Sequence, residues 1–396
     1  MNKRMRVLLM GMALTGLILG SMSTTAMAAK KIKLCAYAAL SGPAAPWGIP
    51  QTRAIELEAD AINRAGGIVV DGKTYEFEVI KGDHKYVPAE SAKLTNKGIY
   101  SDRCKFMAIQ GGPPALAALP LIKENNVLLM GFAGGGKRLT NPDNPLVFRY
   151  NPSIDVMYSS AFPILKKREN ARTVVVVNPD DATGESGLEA ATRGAKYAGL
   201  KVIGHEFFQR GSKDLSSLLT RLIAKKPDIL DTSYTDPGTS ALIVKQAREL
   251  GFKGTIFMAW GPHAGLTKMI AGPHAEKAYM VMGGPIRPIT LEQKLIYNAY
   301  VAKWGKKDWS PVIWSNLGLA STLARGIELA QSFDPQKIAA VMENLVMDVP
   351  VGKVWFSGSK FFGIKRQLLY PATLYQFQNM KPVYIGSPPV PKGVMD

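Results

Sequence analysis

Residues that build metal and redox sites are scarce in this sequence. The 396-residue chain contains four histidines and two cysteines. Neither His263 nor His274 has a cysteine or a carboxylate at the spacing of a zinc site, and His84 has no second ligand nearby. We therefore expect no metal site and no cofactor.

Motifs of common hydrolases and nucleotide-binding proteins are also missing. No Gly-x-Ser-x-Gly nucleophile elbow occurs, and segment 184–187 is one residue short of it. The glycine-rich segment 131–137 matches most of a phosphate-binding P-loop, but Arg138 stands where Ser or Thr should hold the metal. The backbone N–H groups of this segment remain suitable for binding an anion. A secreted hydrolase, with Ser186 or Cys104 as nucleophile, stays open as a weaker alternative.

Long apolar runs are absent after residue 28. A membrane-spanning helix needs roughly 20 apolar residues, and the apolar stretch at 7–19 is too short for one. That stretch follows the basic residues Lys3, Arg4 and Arg6 and precedes a small-residue site at 26–28, which together are typical of a secretory signal. We predict that residues 1–28 are a signal peptide cleaved near Ala28, and that the mature protein is periplasmic.

Positive charge is abundant but not concentrated. A net charge of +18 could indicate a nucleic-acid partner. The basic residues, however, occur in short scattered groups such as 30–31, 166–168 and 225–226, without interleaved aromatic residues. We interpret the excess as a solvated basic surface and expect no nucleic acid among the partners.

The two cysteines, Cys35 and Cys104, fall at or beside predicted strands of the first half of the chain. Export permits a disulfide. Bridging adjacent parallel strands is geometrically awkward, however, because the side chains must meet within a narrow range of Cα separations. We therefore expect two buried or half-buried thiols.

A repeated strand-then-helix order begins at the mature amino terminus. Strands are predicted at 31–40, 75–81, 105–110, 127–130, 173–178, 201–206, 228–233 and 255–258. Four consecutive valines within 173–178 indicate a strand buried on both faces. A helical region at 291–345 and a last strand at 367–378 follow. This alternation predicts an α/β fold with two lobes, each a parallel sheet covered by helices.

Parallel sheets place a binding site beyond the carboxyl ends of their strands. The loops at these ends are rich in Gly, Pro, Trp, Tyr and Asp, and lie at 41–48, 110–114, 131–137, 179–184, 234–238 and 259–263. Two lobes facing each other would close these loops around a small molecule.

Short motifs along nearly the whole mature chain carry a family resemblance. They lie at 40–48, 62–68, 139–140, 147–149, 180–184, 213–216 and 245–251. Their order and spacing resemble the periplasmic branched-chain amino acid and amide binding proteins of ABC importers, the leucine-binding protein-like family. The resemblance implies two Rossmann-like lobes of the type I periplasmic-binding-protein fold, closing on a ligand by a hinge without catalysis. It also implies an ABC permease and ATPase as partners, and we expect a monomer.

Three interlobe crossovers are implied by the same resemblance. We place them near Arg149, near Val281 and between residues 355 and 367. The N-terminal lobe would then comprise 29–149 plus 281–355, and the C-terminal lobe 150–280 plus 356–396. A soluble ligand sensor of the same fold is the alternative function, since both roles need a closing cleft.

The ligand is where the sequence departs from the family. Amino-acid members carry hydroxyl residues in the loops that here read 110–114 and 134–136, which contain none. A tyrosine is usual where this chain has Thr183, and an acidic residue is usual near Trp260. Because a buried ammonium without a counter-charge is costly, a standard α-amino acid is disfavoured, although Asp236 could supply the acid.

The candidate ligand-binding residues combine broad apolar faces with a few polar groups. They are Trp47, Gly112, Pro113, Gly134, Gly135, Thr183, Tyr234, Asp236, Trp260 and His263. Core packing is the alternative for each aromatic residue, and a surface turn is the alternative for His263. We expect a small carboxylate, an aromatic acid or an amide as ligand, with an amino acid left open.

Overall fold

The computed structural model describes residues 29–260, 263–369, 371–391 and 393–395. The predicted signal peptide at 1–28 lies outside the described residues. Within them, no helix combines the length and the apolar character needed to cross a membrane.

The chain alternates between strands and helices from its first described residues. The elements up to residue 149 are β1 (Lys30–Ala38), α1 (Ala45–Arg64), β2 (Ile68–Val70), β3 (Lys73–Asp83), α2 (Pro88–Tyr100), β4 (Phe106–Gln110), α3 (Gly112–Glu124), β5 (Leu128–Phe132), α4 (Gly136–Leu139) and β6 (Val147–Arg149). The next series comprises α5 (Ile154–Glu169), β7 (Thr173–Pro179), α6 (Ala182–Ala198), β8 (Lys201–Phe208), α7 (Ser216–Ile223), β9 (Ile229–Asp231), α8 (Pro237–Glu249), β10 (Thr255–Ala259), α9 (Ala264–Ala271) and β11 (Tyr279–Met282).

The carboxyl-terminal third is less regular and joins both lobes. Its elements are α10 (Leu291–Trp304), α11 (Leu319–Ala330), α12 (Pro335–Met342), β12 (Val346–Val349), β13 (Gly352–Ser357), α13 (Ser359–Phe362), β14 (Gln367–Leu369), β15 (Thr373–Gln378) and β16 (Lys381–Gly386). Short 3₁₀ turns lie at Gly272–Ala275, Lys306–Asp308 and Pro311–Ser315.

These strands form two sheets, which confirms the α/β fold with two lobes. The first sheet has the order β12-β13-β14-β6-β5-β4-β1-β3-β2, and the second has the order β16-β15-β11-β10-β9-β7-β8. The central pairs of both sheets are parallel, whereas the carboxyl-terminal strands add antiparallel edges. The same alternation therefore builds both halves of the molecule.

The valine run of β7 is buried on both faces, as predicted. Val174 and Val176 pack into one hydrophobic cluster of the second lobe, while Val175 and Val177 pack into another. All four side chains are at most 1% exposed. Because successive side chains of a strand point to opposite faces, the run shows that helices cover both sides of this sheet.

The third crossover lies further along the chain than predicted. Gln367 pairs with Arg149 of β6, so β14 belongs to the first sheet. The next strand that belongs to the second sheet is β15. The chain therefore crosses from the first lobe to the second between Leu369 and Thr373. The prediction of a crossover before 367 and of one strand across 367–378 is wrong. Pro371 lies between the two strands and has no N–H for a sheet hydrogen bond.

The two cysteines form a disulfide, which contradicts the expectation of two thiols. Cys35 on β1 is bonded to Cys104, with a Cα–Cα distance of 6.1 Å. Cys35 lies opposite Met107 in the parallel pairing of β1 with β4. Cys104 comes before Phe106, the first β4 residue that pairs with β1, and is therefore not itself part of the paired strands. The awkward geometry of two paired parallel strands therefore does not apply to it.

Candidate functional site

Loops from the carboxyl ends of both sheets meet between the lobes. In the first lobe, Pro46 lies in the first turn of α1, which follows β1 after a short loop, and a Cβ on Gly48 would lie 2.1 Å from the Ala39 carbonyl oxygen. The absence of that Cβ lets α1 pack tightly on the end of β1. This packing buries Trp47, which is 1% exposed, beside the interlobe boundary.

Four aromatic side chains from the two lobes form a cluster at this boundary. The ring of Trp260 stacks on Phe132 at 4.8 Å, meets Tyr234 edge-on at 4.8 Å, and approaches Trp47 at 6.2 Å. Trp47 and Phe132 belong to the first lobe, and Tyr234 and Trp260 to the second. We call these four residues the aromatic cluster.

Aromatic residues around the cluster take an unusual backbone conformation. Tyr234, Trp260 and the nearby Tyr86 have φ angles of 61°, 62° and 64°, in the left-handed region that bulky residues rarely adopt. Non-glycine residues held there cost of order 1–3 kcal/mol each and tend to occur at functional sites. The left-handed backbone therefore occurs in loops that contribute to the aromatic cluster or lie beside it.

Buried hydrogen bonds hold the Tyr234 loop in place. The side-chain amide of Asn178 donates to the Ser233 carbonyl at 2.6 Å, and the Ala259 N–H donates to the Ser233 hydroxyl at 2.9 Å. Asp231 accepts the Ser233 N–H at 2.9 Å and the Tyr158 hydroxyl at 2.5 Å. This network links the loops after β9 and β10 and so fixes Tyr234 relative to Trp260.

The pocket beside the aromatic cluster is small in this conformation. Its lining includes Trp47, Phe132, Met157, Trp260 and Met282, and its volume is about 20 Å³. That space holds about one water molecule. An organic ligand therefore requires these side chains, or the two lobes, to move apart before it can enter.

Thr183 of the second lobe closes against glycines of the first. A Cβ on Gly112 would lie 2.7 Å from the Thr183 hydroxyl, and a Cβ on Gly134 would lie 2.9 Å from its methyl group. The Thr183 hydroxyl is 3.2 Å from the Tyr86 hydroxyl. The predicted residues Gly112, Gly134 and Thr183 are thus brought together, and the neighbouring Pro113 is half-buried at the start of α3.

The glycine loop after β5 is less available to an anion than predicted. The Gly135 N–H donates to the Ser186 hydroxyl at 3.1 Å, and the Ala133 N–H donates to the Asn151 side chain at 3.2 Å. The Gly135 N–H is therefore not free to bind an anion in this conformation, because Ser186 of α6 in the opposite lobe accepts its hydrogen bond. The same contact engages Ser186, whose hydroxyl also donates to the Ala182 carbonyl.

Asp236 and His263 both cap helices. One Asp236 oxygen accepts the Thr239 N–H at 2.9 Å at the start of α8. The Nδ1 atom of His263 accepts the Leu266 N–H at 3.1 Å at the start of α9, and burial lowers the pKa of this histidine. Asp236 also lines a second concavity of about 220 Å³, which Pro43 of the first lobe borders. Helix capping accounts for the main hydrogen bond of each residue.

The structure adds Arg210, which the sequence analysis missed. Its Nε donates to Asp181 at 2.5 Å, its guanidinium carbon lies 4.6 Å from the centre of the Tyr86 ring, and its Nη1 is 3.9 Å from Asp236. Burial opposes the charge, but Tyr86, Asp181 and Asp236 together raise the pKa of Arg210. Arg210 follows β8 and Tyr86 follows β3, and neither of these sheet-end loops was among those predicted to form the site.

The candidate nucleophiles lack the arrangement of a hydrolase. Cys104 is bonded to Cys35, and the hydroxyl of Ser186 is hydrogen-bonded to backbone groups of its own helix. Among the described residues, no group of three or more His, Cys, Asp or Glu side chains is placed to hold a metal ion. The geometry therefore gives the hydrolase alternative no support.

Comparison with known proteins gives consistent matches over most of the chain. The family model of the periplasmic binding proteins matches residues 31–379. A curated relative, the leucine-, isoleucine-, valine-, threonine- and alanine-binding protein of Pseudomonas aeruginosa, is 23% identical over 361 residues, which cover 90% of this chain and 92% of the relative.

Solved structures share the architecture. The branched-chain amino acid transporter substrate binding protein LivJ of Streptococcus pneumoniae, in complex with isoleucine, has a TM-score of 0.75 at 19% identity and covers 91% of this chain and 100% of its own. An ABC transporter solute binding protein of R. palustris, in complex with 4-hydroxybenzoate, has a TM-score of 0.75 at 18% identity, covering 92% and 99%. At these identities the likeness establishes a common fold.

Proposed function

The chain belongs to the periplasmic binding protein family, and from that membership we propose that it captures a small organic solute between its lobes and delivers it to an ABC importer. The relatives described above are binding proteins, and we propose that this chain likewise catalyses no reaction. Its partners are then an ABC permease and ATPase at the inner membrane, and it acts as a monomer in the periplasm after cleavage near Ala28.

The observation that carries this proposal is the aromatic cluster shared by the two lobes. Trp47 and Phe132 of one lobe contact Trp260 of the other, so a solute held among these rings would touch both lobes at once. A ligand that contacts both lobes stabilises the closed arrangement over the open one, which is how binding becomes a signal for a transporter. Apolar walls with a few polar groups are the usual composition of a small-molecule site.

The proposed ligand is a small carboxylate, an aromatic acid or an amide. Aromatic rings suit a ring or a branched chain. The acidic residue that could hold an ammonium is Asp236, but it caps α8 and faces Arg210. A standard amino acid is therefore the less favoured ligand. We further propose Trp47, Gly112, Pro113, Gly134, Gly135, Thr183, Tyr234, Asp236, Trp260 and His263 as the residues that line or shape the cleft.

The test is a thermal-shift and calorimetry panel on the mature protein from residue 29. The panel contains amino acids, aliphatic acids, aromatic acids and the matching amides, and a true ligand raises the melting temperature by mass action. We expect one class to bind stoichiometrically and to be recovered unchanged. Steady release of an altered product would contradict the binding role, and stabilisation by leucine but not by its deaminated acid would contradict the ligand class alone.

A matched pair of variants ties binding to the cleft. Trp260→Ala should lower the affinity by at least about 30-fold, because a buried aromatic contact at the centre of an interface carries much of the binding energy. Trp304→Ala removes a half-buried tryptophan of α10 that contacts Tyr300 and Arg53. It should leave the affinity unchanged. Equal losses in both variants would place the ligand elsewhere.

A further inference from the structure

Arg210 is a cation whose outer nitrogen atoms lack hydrogen-bond acceptors. Its Nη1 and Nη2 atoms are shielded from solvent, and neither has an acceptor within hydrogen-bond distance among the described residues. A buried donor without an acceptor is costly, and more so when it belongs to a charged group. The Nη1 and Nη2 atoms can therefore donate hydrogen bonds to a ligand, because no acceptor of the described residues uses them.

The neighbouring carboxylates do not meet this need. Asp181 accepts the N–H groups of Thr183 and Gly184 with one oxygen and the Nε of Arg210 with the other. Asp236 caps α8 with one oxygen, and its other oxygen lies 3.9 Å from Nη1, beyond hydrogen-bond distance. Each aspartate sits at a helix amino terminus, where the helix dipole offsets part of its negative charge. The two aspartates thus hold the guanidinium in place without saturating it.

The position of Arg210 is set by both lobes. The Tyr86 ring of the first lobe covers one face of the guanidinium at 4.6 Å, and its hydroxyl contacts Thr183 of the second lobe at 3.2 Å. The same ring lies 6.2 Å from Trp47, at the edge of the aromatic cluster. Aromatic rings and a half-buried arginine with shielded Nη atoms therefore lie side by side along the interlobe boundary.

We propose that Arg210 is the anion anchor of the cleft and that the ligand is an organic carboxylate, held through Nη1 and Nη2 with its apolar part toward the aromatic cluster. The inference rests on the proposed function and specifies the ligand class of the same site. A planar guanidinium matches the two oxygens of a carboxylate. An amide offers one acceptor, and its NH₂ group would face the N–H donors of Arg210. The cleft therefore selects acids over the corresponding amides.

The experiment compares acids with amides of the same shape. Benzoate is paired with benzamide, and 4-methylpentanoate with 4-methylpentanamide, and dissociation constants are measured by calorimetry on the mature protein. Wild type should bind at least one acid more tightly than its amide. Arg210→Gln should weaken the binding of that acid by about 30-fold, since hydrogen bonds to charged groups are lost, while the affinity for the amide changes little.

Two further variants separate anchoring from a structural role. Arg210→Lys keeps the charge but loses the two-pronged geometry, so it should retain part of the preference for the acid. Arg138→Gln removes an exposed arginine that pairs with Glu185 across the lobes, and it should leave the preference intact. Circular dichroism and thermal melting check that each variant folds.

The possible outcomes distinguish the anchor from the proposed function. Equal losses for acid and amide in Arg210→Gln would overturn the anchor and assign Arg210 to packing alone. Wild-type binding of amides or amino acids, with no preference for acids, would also overturn the anchor but leave the solute-binding role standing. Failure of the folded wild type to bind any compound of this panel or of the wider one would count against both.

Discussion

The glycine loops of the first lobe and the facing loops of the second are built in opposite ways. Gly112 and Gly134 provide space, because any side chain there would collide with Thr183. Tyr234 and Trp260 occupy space, with full aromatic side chains on left-handed backbone that glycine usually adopts. At these loops the first lobe therefore allows the two lobes to approach closely, while the second lobe supplies the side chains that can discriminate between ligands.

The lobes also differ in their buried cross-links. In the first lobe, a buried disulfide joins β1 to the residue two positions before β4, at the opposite end of β4 from the Gly112 loop. The second lobe has a buried polar network that joins Tyr158, Asp231 and Ser233. A covalent bond away from the cleft therefore cross-links the first lobe, whereas hydrogen bonds hold the Tyr234 loop of the second.

The largest effect should come from removing the disulfide. Cys35→Ala with Cys104→Ala should lower the free energy of unfolding by about 4 kcal/mol, because the bond closes a loop with a sequence separation of 69 residues. Urea unfolding measures the change in the free energy of unfolding, and amide hydrogen exchange shows in which lobe protection is lost. We expect the loss in the first lobe, with second-lobe amides as the internal control. Uniform loss across both lobes would show that they unfold as one unit.

A smaller effect should follow from adding one methyl group to Gly134, in the loop that faces Thr183. Gly134→Ala places a Cβ about 3 Å from Thr183, and overpacking of this kind costs roughly 1–3 kcal/mol, or about 5- to 150-fold in ligand affinity. The clash exists only while the lobes are closed, so stability should change less than affinity. Small-angle scattering should then show less contraction with ligand than wild type.

The rescue of this variant gives the control. Thr183→Ala removes both the hydroxyl and the methyl group that face the glycines. The double variant Gly134→Ala with Thr183→Ala should therefore recover affinity relative to the Gly134→Ala single variant. If it recovers nothing, the close approach of Thr183 to the glycine loop is not what limits closure.

A pH dependence should come from one buried carboxyl in each lobe. Burial raises the pKa of Glu58 to about 7 and that of Asp231 to about 6. Because both bind protons more tightly folded than unfolded, they stabilise the fold fully at low pH. Their contribution is lost as pH rises from about 4 to about 7, by up to roughly 3 kcal/mol for each carboxyl.

Urea unfolding at several pH values within that window measures this slope. Carboxyls with a lowered pKa, such as Asp83 and Asp228, titrate below the window. Burial lowers the pKa of His84 to about 4, so this histidine makes stability rise with pH inside the window, and each variant is therefore compared with wild type. Asp231→Asn should flatten the slope below about pH 6, and Glu58→Gln should flatten the slope above it. An unchanged slope in both variants would mean that neither carboxyl is protonated in the folded protein.

Much of the architecture followed from local patterns in the sequence. The valine run predicted the strand that became β7, and the motif at 40–48 placed Trp47 at the head of α1 beside the cleft. Thr183, Tyr234 and Trp260 were chosen because they follow predicted strands, and the structure places them at the interlobe boundary. Their role in binding stays a prediction.

Other parts of the site were not predictable in this way. Tyr86 and Arg210 lie in loops after β3 and β8, and only the strand order shows that these loops turn toward the opposite lobe. Asp236 and His263 carry suitable chemistry, but their side chains turn back to cap helices. Which way a polar side chain turns depends on the donors that the folded chain brings near it.

The alternation of strands and helices, the two lobes and the family of the chain can all be inferred from the order of its amino acids alone. These depend on hydrophobic periodicity and on the order of short motifs, which are local properties of the chain. Only the tertiary structure decided that Cys35 bonds Cys104, that β14 joins the first sheet, and that Arg210 lies under Tyr86. Each of these contacts joins residues far apart in the chain, and their meeting depends on how whole sheets and lobes pack.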